Sequence, residues 1–334
     1  MGAQGFGGFR RLVLTAVAGA LAIGAAPTAH AGTVALTFDD LPIFGKFRPI
    51  AEADALTDTL VGGIERHHWP AIGFVNEIQL EAADKPRRIA LLTRWLDAGL
   101  DLGNHSYSHP SLTNTPVETY IADVARGDVV TRPLMATRGK TEHWYRYPFL
   151  ETGPTLAARQ RFEGWLAAHG YRVAPVTMEN SDWQFAEPYD DALRRGDAAQ
   201  AAHIRAAYLD FTARVVPWYR QAGAAVFGRE PAFVFLLHAS QLNADSIDAL
   251  ADILKAQDLT PVTLDQAMAD PAYRTADTYV GPDGEEWLER FATTLHKSLP
   301  WSTMPQMPAD IVAADAALEG AQPAPTQTPA APAH

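Results

Sequence analysis

The sequence predicts an α/β fold in which about seven parallel strands alternate with helices and close, or nearly close, into a barrel. Short apolar runs typical of buried strands alternate with longer segments whose apolar residues recur every three or four positions. Proline at the start and glycine at the end mark several of the helical segments. The chain of 334 residues, 47% of them hydrophobic, is long enough for one large domain of this kind.

The first half of the chain shows the alternation most clearly. Its apolar runs are short enough for strands, and the segments between them place leucine and isoleucine on one helical face. Strands are expected at residues 33–38, 71–75 and 100–102, and helices at residues 51–67 and 86–99. Because each strand is followed by a helix, neighbouring strands should run parallel.

The second half continues the pattern around one long interruption. Strands are expected at residues 143–147, 171–175, 233–237 and 261–263, and helices at residues 116–132, 154–169 and 245–256. Residues from about 189 to 230 are mostly helical with no strand among them, so they are expected to be a helical insertion. Pro217 should kink or break that insertion. Trp287, Phe291 and Leu295 indicate one more amphipathic helix.

The two ends of the chain differ from the domain between them, residues 32–300. Arg10 and Arg11 precede an apolar run, and Ala29-His30-Ala31 then fits a cleavage site, so residues 1–31 are expected to be a signal peptide. The alternative is an uncut membrane anchor. With cleavage, the protein is exported to the periplasm or the medium and keeps no membrane span. Residues 301–334 are rich in Pro and Ala, and we expect them to be a disordered tail.

Composition narrows the possible partners. The formal charge of −12 argues against nucleic acid as a main partner. The chain has no cysteine, so any metal must be held by histidine and carboxylate groups. Nothing in the sequence indicates an oligomeric state.

Residues with catalytic chemistry follow the predicted strands. Asp39 and Asp40 close the first strand, and His105 and His109 follow the third, while Arg146 and His238 close later strands. The carboxyl ends of parallel strands meet on one face of a barrel, so these side chains are expected to converge there. One Asp and two His would make a three-ligand metal site with an open position. Read alone, the two histidines could also be ordinary surface or core residues.

Five short motifs, taken in order, resemble those of the NodB-type polysaccharide deacetylases (carbohydrate esterase family four). They are Thr37-Phe38-Asp39-Asp40, His105-Ser106-Tyr107-Ser108-His109, Arg146-Tyr147-Pro148, Asp182-Trp183 and Leu236-Leu237-His238. The resemblance spans about residues 33–265, and its first two motifs are the specific ones. It implies a deformed (β/α) barrel, one divalent metal, usually Zn²⁺ with Co²⁺ or another divalent ion possible, and an acetylated polysaccharide or oligosaccharide as substrate.

The resemblance also implies a role for each motif residue. The metal ligands would be Asp40, His105 and His109. The proton-transfer groups would be Asp39 as general base and His238 as general acid, paired with Arg146 and Asp182 respectively. The backbone N–H of Tyr147 would donate a hydrogen bond to the oxyanion. Trp183 and Leu236 would form the walls of the acetyl pocket.

Three functions remain open at this stage. The first is removal of acetyl groups from N-acetylated amino sugars, and the second is hydrolysis of an O-acetyl ester or another amide on the same fold. The third is an inactive carbohydrate-binding protein, which would have no need of a base and an acid together. Two departures from the family pattern bear on substrate choice. Leu41 stands where Gly is usual, and Pro148 is followed by Phe149-Leu150-Glu151, where the family usually has Gly two residues after the proline. Both bulkier residues, Leu41 and Phe149, are expected near the substrate groove.

Overall fold

A computed structural model describes residues 32–45 and 48–320. The predicted signal peptide, residues 1–31, lies outside these ranges, as does the last part of the chain from residue 321. Within the described ranges no helix combines the length and apolar character needed to cross a bilayer.

Eight strands, all pairing in parallel, form one sheet in the described residues. They are β1 (Gly32–Leu41), β2 (Ala71–Val75), β3 (Asp101–Asn104), β4 (Trp144–Tyr145), β5 (Arg172–Val173), β6 (Met178–Glu179), β7 (Phe233–His238) and β8 (Leu259–Pro261). Seven follow the order β5-β4-β3-β2-β1-β7-β6, and β8 pairs with the start of β1. The predicted deformed barrel of about seven parallel strands is therefore confirmed, as a half-barrel.

Eleven α-helices accompany the strands in the same part of the chain. They are α1 (Ile50–Arg66), α2 (Lys85–Asp97), α3 (Val117–Arg126), α4 (Thr131–Ala136), α5 (Leu156–Ala168), α6 (Asp182–Arg194), α7 (Ala198–Phe227), α8 (Gln241–Ala256), α9 (Leu264–Met268), α10 (Trp287–Thr294) and α11 (Ala309–Gly320). Most lie within a few residues of the predicted helices. The helix predicted over residues 116–132 is instead two shorter helices, α3 and α4, and β6 was not predicted, since two residues show no periodicity.

Strand β1 lies at the centre of the sheet and positions the first motif. It runs between β2 and β7, and its apolar side chains are buried, which is why it reads as a continuous apolar run. The Thr37 hydroxyl donates to the carbonyl of Phe235, 2.8 Å away, on β7. In the same register Asp39 lies beside His238, so the first and last motifs are neighbours at the carboxyl edge.

The predicted insertion is dominated by α7, a helix of 30 residues. It continues through Pro217, so the predicted break does not occur. Tyr208 and Val215 belong to its buried face, and this packing offsets the backbone hydrogen bond that proline cannot make. Trp218 is also buried, and its ring lies 5.0 Å from that of Tyr219 on the same helix.

The disorder expected from residue 301 onward is wrong for residues 301–320. The Trp218 indole N–H donates to the carbonyl of Pro300, 3.0 Å away, and the Trp301 ring lies 5.5 Å from the Trp218 ring. Helix α11 packs against α6 and buries Ile311 completely. The prediction of disorder rested on the Ala- and Pro-rich composition of the whole segment. Composition does not show that a few apolar residues in it are buried and anchor an ordered helix.

Candidate active site

The candidate metal ligands lie on unusual backbone. Asp40 ends β1, and His105 and His109 lie in the loop after β3. Asp40, Ser106 and His109 have φ values of 64°, 70° and 56°, in the left-handed region that few residues other than glycine adopt. Local hydrogen bonds stabilise this shape: the Ser106 N–H donates to Asn104 Oδ1 at 2.7 Å, and the His109 N–H donates to Ser106 Oγ at 3.0 Å.

Helix α3 supports the histidine loop from below, through residues that the sequence analysis missed. Asp123 Oδ1 accepts the backbone N–H groups of Tyr107 and Ser108, each at 3.0 Å. Gly127 follows the helix, and a Cβ there would lie 2.5 Å from the carbonyl carbon of Ser106. The loop can therefore approach the helix end only because residue 127 has no side chain. No motif spacing connects Asp123 with the loop.

Asp40, His105 and His109 form a cluster that could hold a cation. One donor atom from each lies within 4.8 Å of the other two. The Nε2 atoms of His105 and His109 lie 3.5 Å and 3.6 Å from Asp40 Oδ1. That oxygen is buried and has no hydrogen-bond partner in the described part of the chain. A buried carboxylate oxygen facing two imidazole nitrogens fits a divalent cation, which would satisfy all three groups.

The hydrogen bond on the far side of His105 fixes which nitrogen faces the cluster. Nδ1 lies 2.9 Å from the carbonyl oxygen of Arg146, which can only accept, so Nδ1 carries the proton. The lone pair of Nε2 then points toward Asp40 and His109. Burial, with the neighbouring His109 charge, lowers the pKa of His105 to about 3. A neutral imidazole with this tautomer is the form that binds metals.

Asp39 and Arg146 form a buried ion pair beside the cluster. The guanidinium of Arg146 lies 3.3 Å from Asp39 Oδ2, and it also donates to Thr37 Oγ1 and to the carbonyl of Ala174, each at 3.0 Å. Burial raises the pKa of Asp39, and the Arg146 charge opposes that rise. Asp39 Oδ1 is buried and has no partner among the described residues. The pair therefore leaves one carboxylate oxygen available as a proton acceptor.

His238 and Asp182 form the second charged pair. Asp182 accepts from both the ring and the backbone of His238, at 2.7 Å from Nδ1 to Oδ1 and 2.7 Å from the N–H to Oδ2. Burial lowers the pKa of His238, but the carboxylates of Asp182, Asp40 and Asp39, with Asp182 the strongest, raise it by more, to about 9. With Nδ1 occupied by Asp182, Nε2 is the nitrogen left to meet a substrate. Asn243, which the sequence analysis missed, donates to Asp182 Oδ2 at 2.5 Å and to the His238 carbonyl at 2.9 Å.

Comparison with known proteins identifies the fold that carries these groups. Residues 26–174 match the family model described as polysaccharide deacetylase. These residues, slightly under half of the chain, carry a NodB-type polysaccharide deacetylase domain. The resemblance predicted from the motifs is thus confirmed, although Asp182 and His238 lie beyond the matched residues.

One solved structure shows the same fold, and two others are similar at lower TM-scores. The chitin deacetylase of the fungal pathogen Colletotrichum lindemuthianum is 20% identical, with 72% of this chain and 88% of that chain covered and a TM-score of 0.50. A family 4 carbohydrate esterase from Streptomyces lividans is also 20% identical, with 68% and 90% covered and a TM-score of 0.44. The peptidoglycan deacetylase PdaC from Bacillus subtilis is 20% identical, with 72% and 91% covered and a TM-score of 0.44. No curated protein matches the chain.

The remaining motif residues of the deacetylase domain lie near the same edge of the sheet. The side chain of Tyr147 is buried, with its ring centroid 5.3 Å from that of Tyr145. Leu236 is buried two residues before His238, and Trp183 is 37% exposed in the first turn of α6. Their contacts with a substrate stay predictions.

The two departures from the family pattern have different structural outcomes. Phe149 is 55% exposed, and its ring lies 4.4 Å from that of His109, so it borders the cluster as expected. The side chain of Leu41 is completely buried, so it is not exposed to a substrate, and its expected place near the groove stays a prediction. A Cβ on Gly73 would lie 2.3 Å from Leu41 Cδ2, which shows that the leucine fills the space above this glycine of β2.

Proposed function

We propose that the protein is a metal-dependent hydrolase that removes acetyl groups from N-acetylated amino sugars of a polysaccharide. The observation that carries the proposal is the Asp40–His105–His109 cluster with a separate carboxylate, Asp39, and a separate imidazole, His238, beside it. A cleft of about 310 Å³ opens over Asp40 and His109 and gives a substrate access to these groups. The family description, polysaccharide deacetylase, supports the substrate class.

The cluster would hold one divalent cation through two imidazole nitrogens and one carboxylate oxygen. We propose Zn²⁺, with Co²⁺ or another divalent ion as an alternative, because mixed nitrogen and oxygen donors suit zinc. When bound, such an ion lowers the pKa of coordinated water and polarises a carbonyl oxygen. The orphaned Oδ1 of Asp40 and the tautomer of His105 support this assignment.

Asp39 would take the proton from the attacking water. Its Oδ2 is tied to Arg146, which leaves Oδ1 as the acceptor. The raised pKa of Asp39 makes it a stronger base than an exposed aspartate. Arg146 keeps this buried carboxylate ionised enough to act, and its other two hydrogen bonds prevent the guanidinium from turning away.

His238 would give a proton to the leaving amine. An amine departs readily from a tetrahedral carbon only when its nitrogen is protonated. With a pKa of about 9, His238 carries that proton at neutral pH, and Asp182 orients its ring through Nδ1. Asp39 and His238 thus divide the two proton transfers, because the Arg146 charge opposes protonation of Asp39 whereas the Asp182 charge favours protonation of His238.

The substrate itself is proposed in less detail. Trp183 and Leu236 would wall the acetyl pocket, and the Tyr147 N–H would meet the oxyanion, as the family resemblance implies. Phe149 offers an exposed ring beside His109 on which a sugar face could pack. An O-acetyl ester or another amide remains the alternative substrate, and an inactive carbohydrate-binding protein is the alternative of another class. The charged pairs at Asp39 and His238 favour an enzyme.

The test measures acetate release by the purified chain from N-acetylglucosamine oligomers and from O-acetylated xylan. Each assay is run after chelation and again after addition of Zn²⁺ or Co²⁺. We expect release from the N-acetyl substrate only with metal, and loss of release in Asp39→Asn and His109→Gln. His67→Gln is the matched control, because His67 lies at the exposed end of α1 and pairs with Asp248.

The outcomes separate the alternatives. Acetate release from xylan alone would show that the protein hydrolyses an O-acetyl ester rather than an amide. Full activity of Asp39→Asn would overturn the proposed mechanism. Binding of the oligomers without release under any metal condition would favour the inactive binding protein.

Export to the periplasm or the medium is also a proposal. It is supported by the charged, apolar and small-residue order of residues 1–31. Expression of the full chain, fractionation and N-terminal sequencing test it. A mature protein beginning at Gly32 outside the cytoplasm is expected, and an intact N-terminus on cytoplasmic protein would refute it.

A further inference from the structure

We propose that helix α7 positions the catalytic imidazole, with Tyr208 as its key residue. Tyr208 holds Asn243, and Asn243 holds both Asp182 and the backbone of His238. The inference rests on the proposed function, because it takes His238 as the proton donor. It gives the predicted insertion a role in the chemistry of the site, although no residue of α7 belongs to a sequence motif.

A continuous chain of hydrogen bonds runs from α7 to His238. The Tyr208 hydroxyl donates to Asn243 Oδ1 at 2.6 Å. Asn243, in the first turn of α8, donates from Nδ2 to Asp182 Oδ2 at 2.5 Å and to the His238 carbonyl at 2.9 Å. Asp182 in turn accepts from His238 Nδ1 at 2.7 Å. Each link joins a different element, so the chain connects α7, α8, α6 and β7.

A second branch joins α7 to Asn180, two residues before the same aspartate. Asn180 Nδ2 donates to the Tyr208 hydroxyl at 2.9 Å and to Thr212 Oγ1 at 3.0 Å. Tyr208 and Thr212 are four residues apart, so they lie on one face of α7. Between Asn180 and Asp182, Ser181 has a φ of 50°, in the left-handed region. Helix α7 therefore anchors the residue before this strained turn, and through Asn243 the residue after it.

The direction of each bond explains why one hydroxyl matters. A carboxamide has a donor end and an acceptor end, and rotating Asn243 by half a turn would aim its oxygen at the Asp182 carboxylate. By donating to Oδ1, Tyr208 keeps the donor end toward Asp182. Tyr208, Asn243 and Asn180 are all buried, so water does not replace a lost partner.

The experiment compares Tyr208→Phe, Asn243→Ala and the double variant with wild type. The control is Tyr189→Phe, because the Tyr189 hydroxyl also joins α6 to α8, donating to Asp245 Oδ2 at 2.7 Å, but does not contact the chain. The measurements are the thermal midpoint, kcat and KM of the metal-loaded protein, and the NMR resonance of the His238 Nδ1 proton. That resonance reports the Asp182–His238 bond and requires no activity.

We expect Tyr208→Phe to lower kcat by about tenfold with KM nearly unchanged, because the tyrosine acts through groups that orient the proton donor. The Nδ1 proton should move upfield or broaden, and the double variant should be little worse than Asn243→Ala. Tyr189→Phe should lower only the thermal midpoint. If Tyr208→Phe fails to fold, Thr212→Val is measured in the same way, and a smaller loss of kcat is expected for it.

A wild-type Nδ1 resonance together with wild-type kcat in Tyr208→Phe would overturn the inference, as would strictly additive losses in the double variant. If wild type releases no acetate, the proposed function fails and the NMR comparison still decides whether α7 holds His238. An unperturbed resonance in that case rejects the positioning role as well.

Discussion

Replacing Asp182 by asparagine should move the pH range over which the enzyme works. The carboxylate of Asp182 raises the pKa of His238 to about 9, against burial that lowers it. In Asp182→Asn the oxygen can still accept from the His238 N–H and from Asn243, and the new NH₂ group then faces Nδ1. That donor favours an unprotonated Nδ1, so the stabilisation of the imidazolium is lost.

The size of the effect follows from the two pKa values. Without the carboxylate, the pKa of His238 should return to about 6.5, because burial lowers it and only the weaker charges of Asp40 and Asp39 still raise it. At pH 8 the protonated fraction then falls from about nine-tenths to about 3%, so the rate should fall about thirtyfold. The difference between the two pKa values corresponds to about 3 kcal/mol.

The assay is a pH–rate profile of acetate release by the metal-loaded protein. The basic limb of the profile should move from near pH 9 to near pH 6.5 in Asp182→Asn. Asp245→Asn is the control, because it removes an equal charge from α8 and Asp245 accepts from Tyr189 and Gln241 rather than from His238. A basic limb that stays near pH 9 in Asp182→Asn would refute the assignment of His238 as the acid.

The same pair links stability to pH. Folding raises the pKa of His238, so the pair stabilises the folded protein fully below about pH 6.5, and this contribution disappears as the pH rises through about 9. The difference in unfolding free energy between wild type and Asp182→Asn should therefore be largest near pH 6, shrink between about pH 6.5 and pH 9, and almost disappear above pH 9. Urea denaturation at several pH values measures it, and a difference that grows with pH would contradict the linkage.

Three further predictions concern other parts of the molecule. Arg146→Met should cost about 3–5 kcal/mol of unfolding free energy in urea denaturation, because Asp39 would be left buried without its cation; a cost under about 1 kcal/mol would contradict the buried pair. His105→Gln should abolish Zn²⁺ binding measured by calorimetry while the far-UV circular dichroism is unchanged, and undiminished affinity would place the metal elsewhere. Ile311→Ala should cost about 2–5 kcal/mol through the cavity it leaves between α11 and its neighbours, and an unchanged thermal midpoint would show that α11 adds no stability.

The sequence predicted the parts of the site that depend on local order. Asp39 and Asp40 lie at the end of one apolar run, and His105 and His109 follow another. Parallel strands alone therefore bring these side chains to one edge of the sheet. The clustering of Asp40 with the two histidines therefore followed from the fold class. The site contacts of His238 followed in the same way, since β7 is the clearest apolar run of the chain and lies beside β1.

The partners that orient those groups could not be predicted in this way. Asp123, Asn243 and Tyr208 lie on helices, and their contacts depend on how each helix is rotated against the sheet. Helical periodicity identifies the buried face but not which polar residue on it meets a distant backbone group. The ordered helix α11 was missed for a related reason, because few of its residues are buried and Ile311 is its one buried apolar side chain among those described.

The close contact between Leu41 and Gly73 makes these two positions interdependent in any comparison of sequences. The leucine side chain fills the space that a side chain at position 73 would need. Restoring glycine at position 41 alone would open a void in the sheet, and adding a side chain at position 73 alone would create a clash. The two changes should be tolerated best together. A domain of this type should therefore have either a large residue at position 41 with glycine at position 73, or glycine at position 41 with a side chain at position 73. A survey that scores position 41 by itself would mistake a packing exchange between neighbouring strands for a change of substrate.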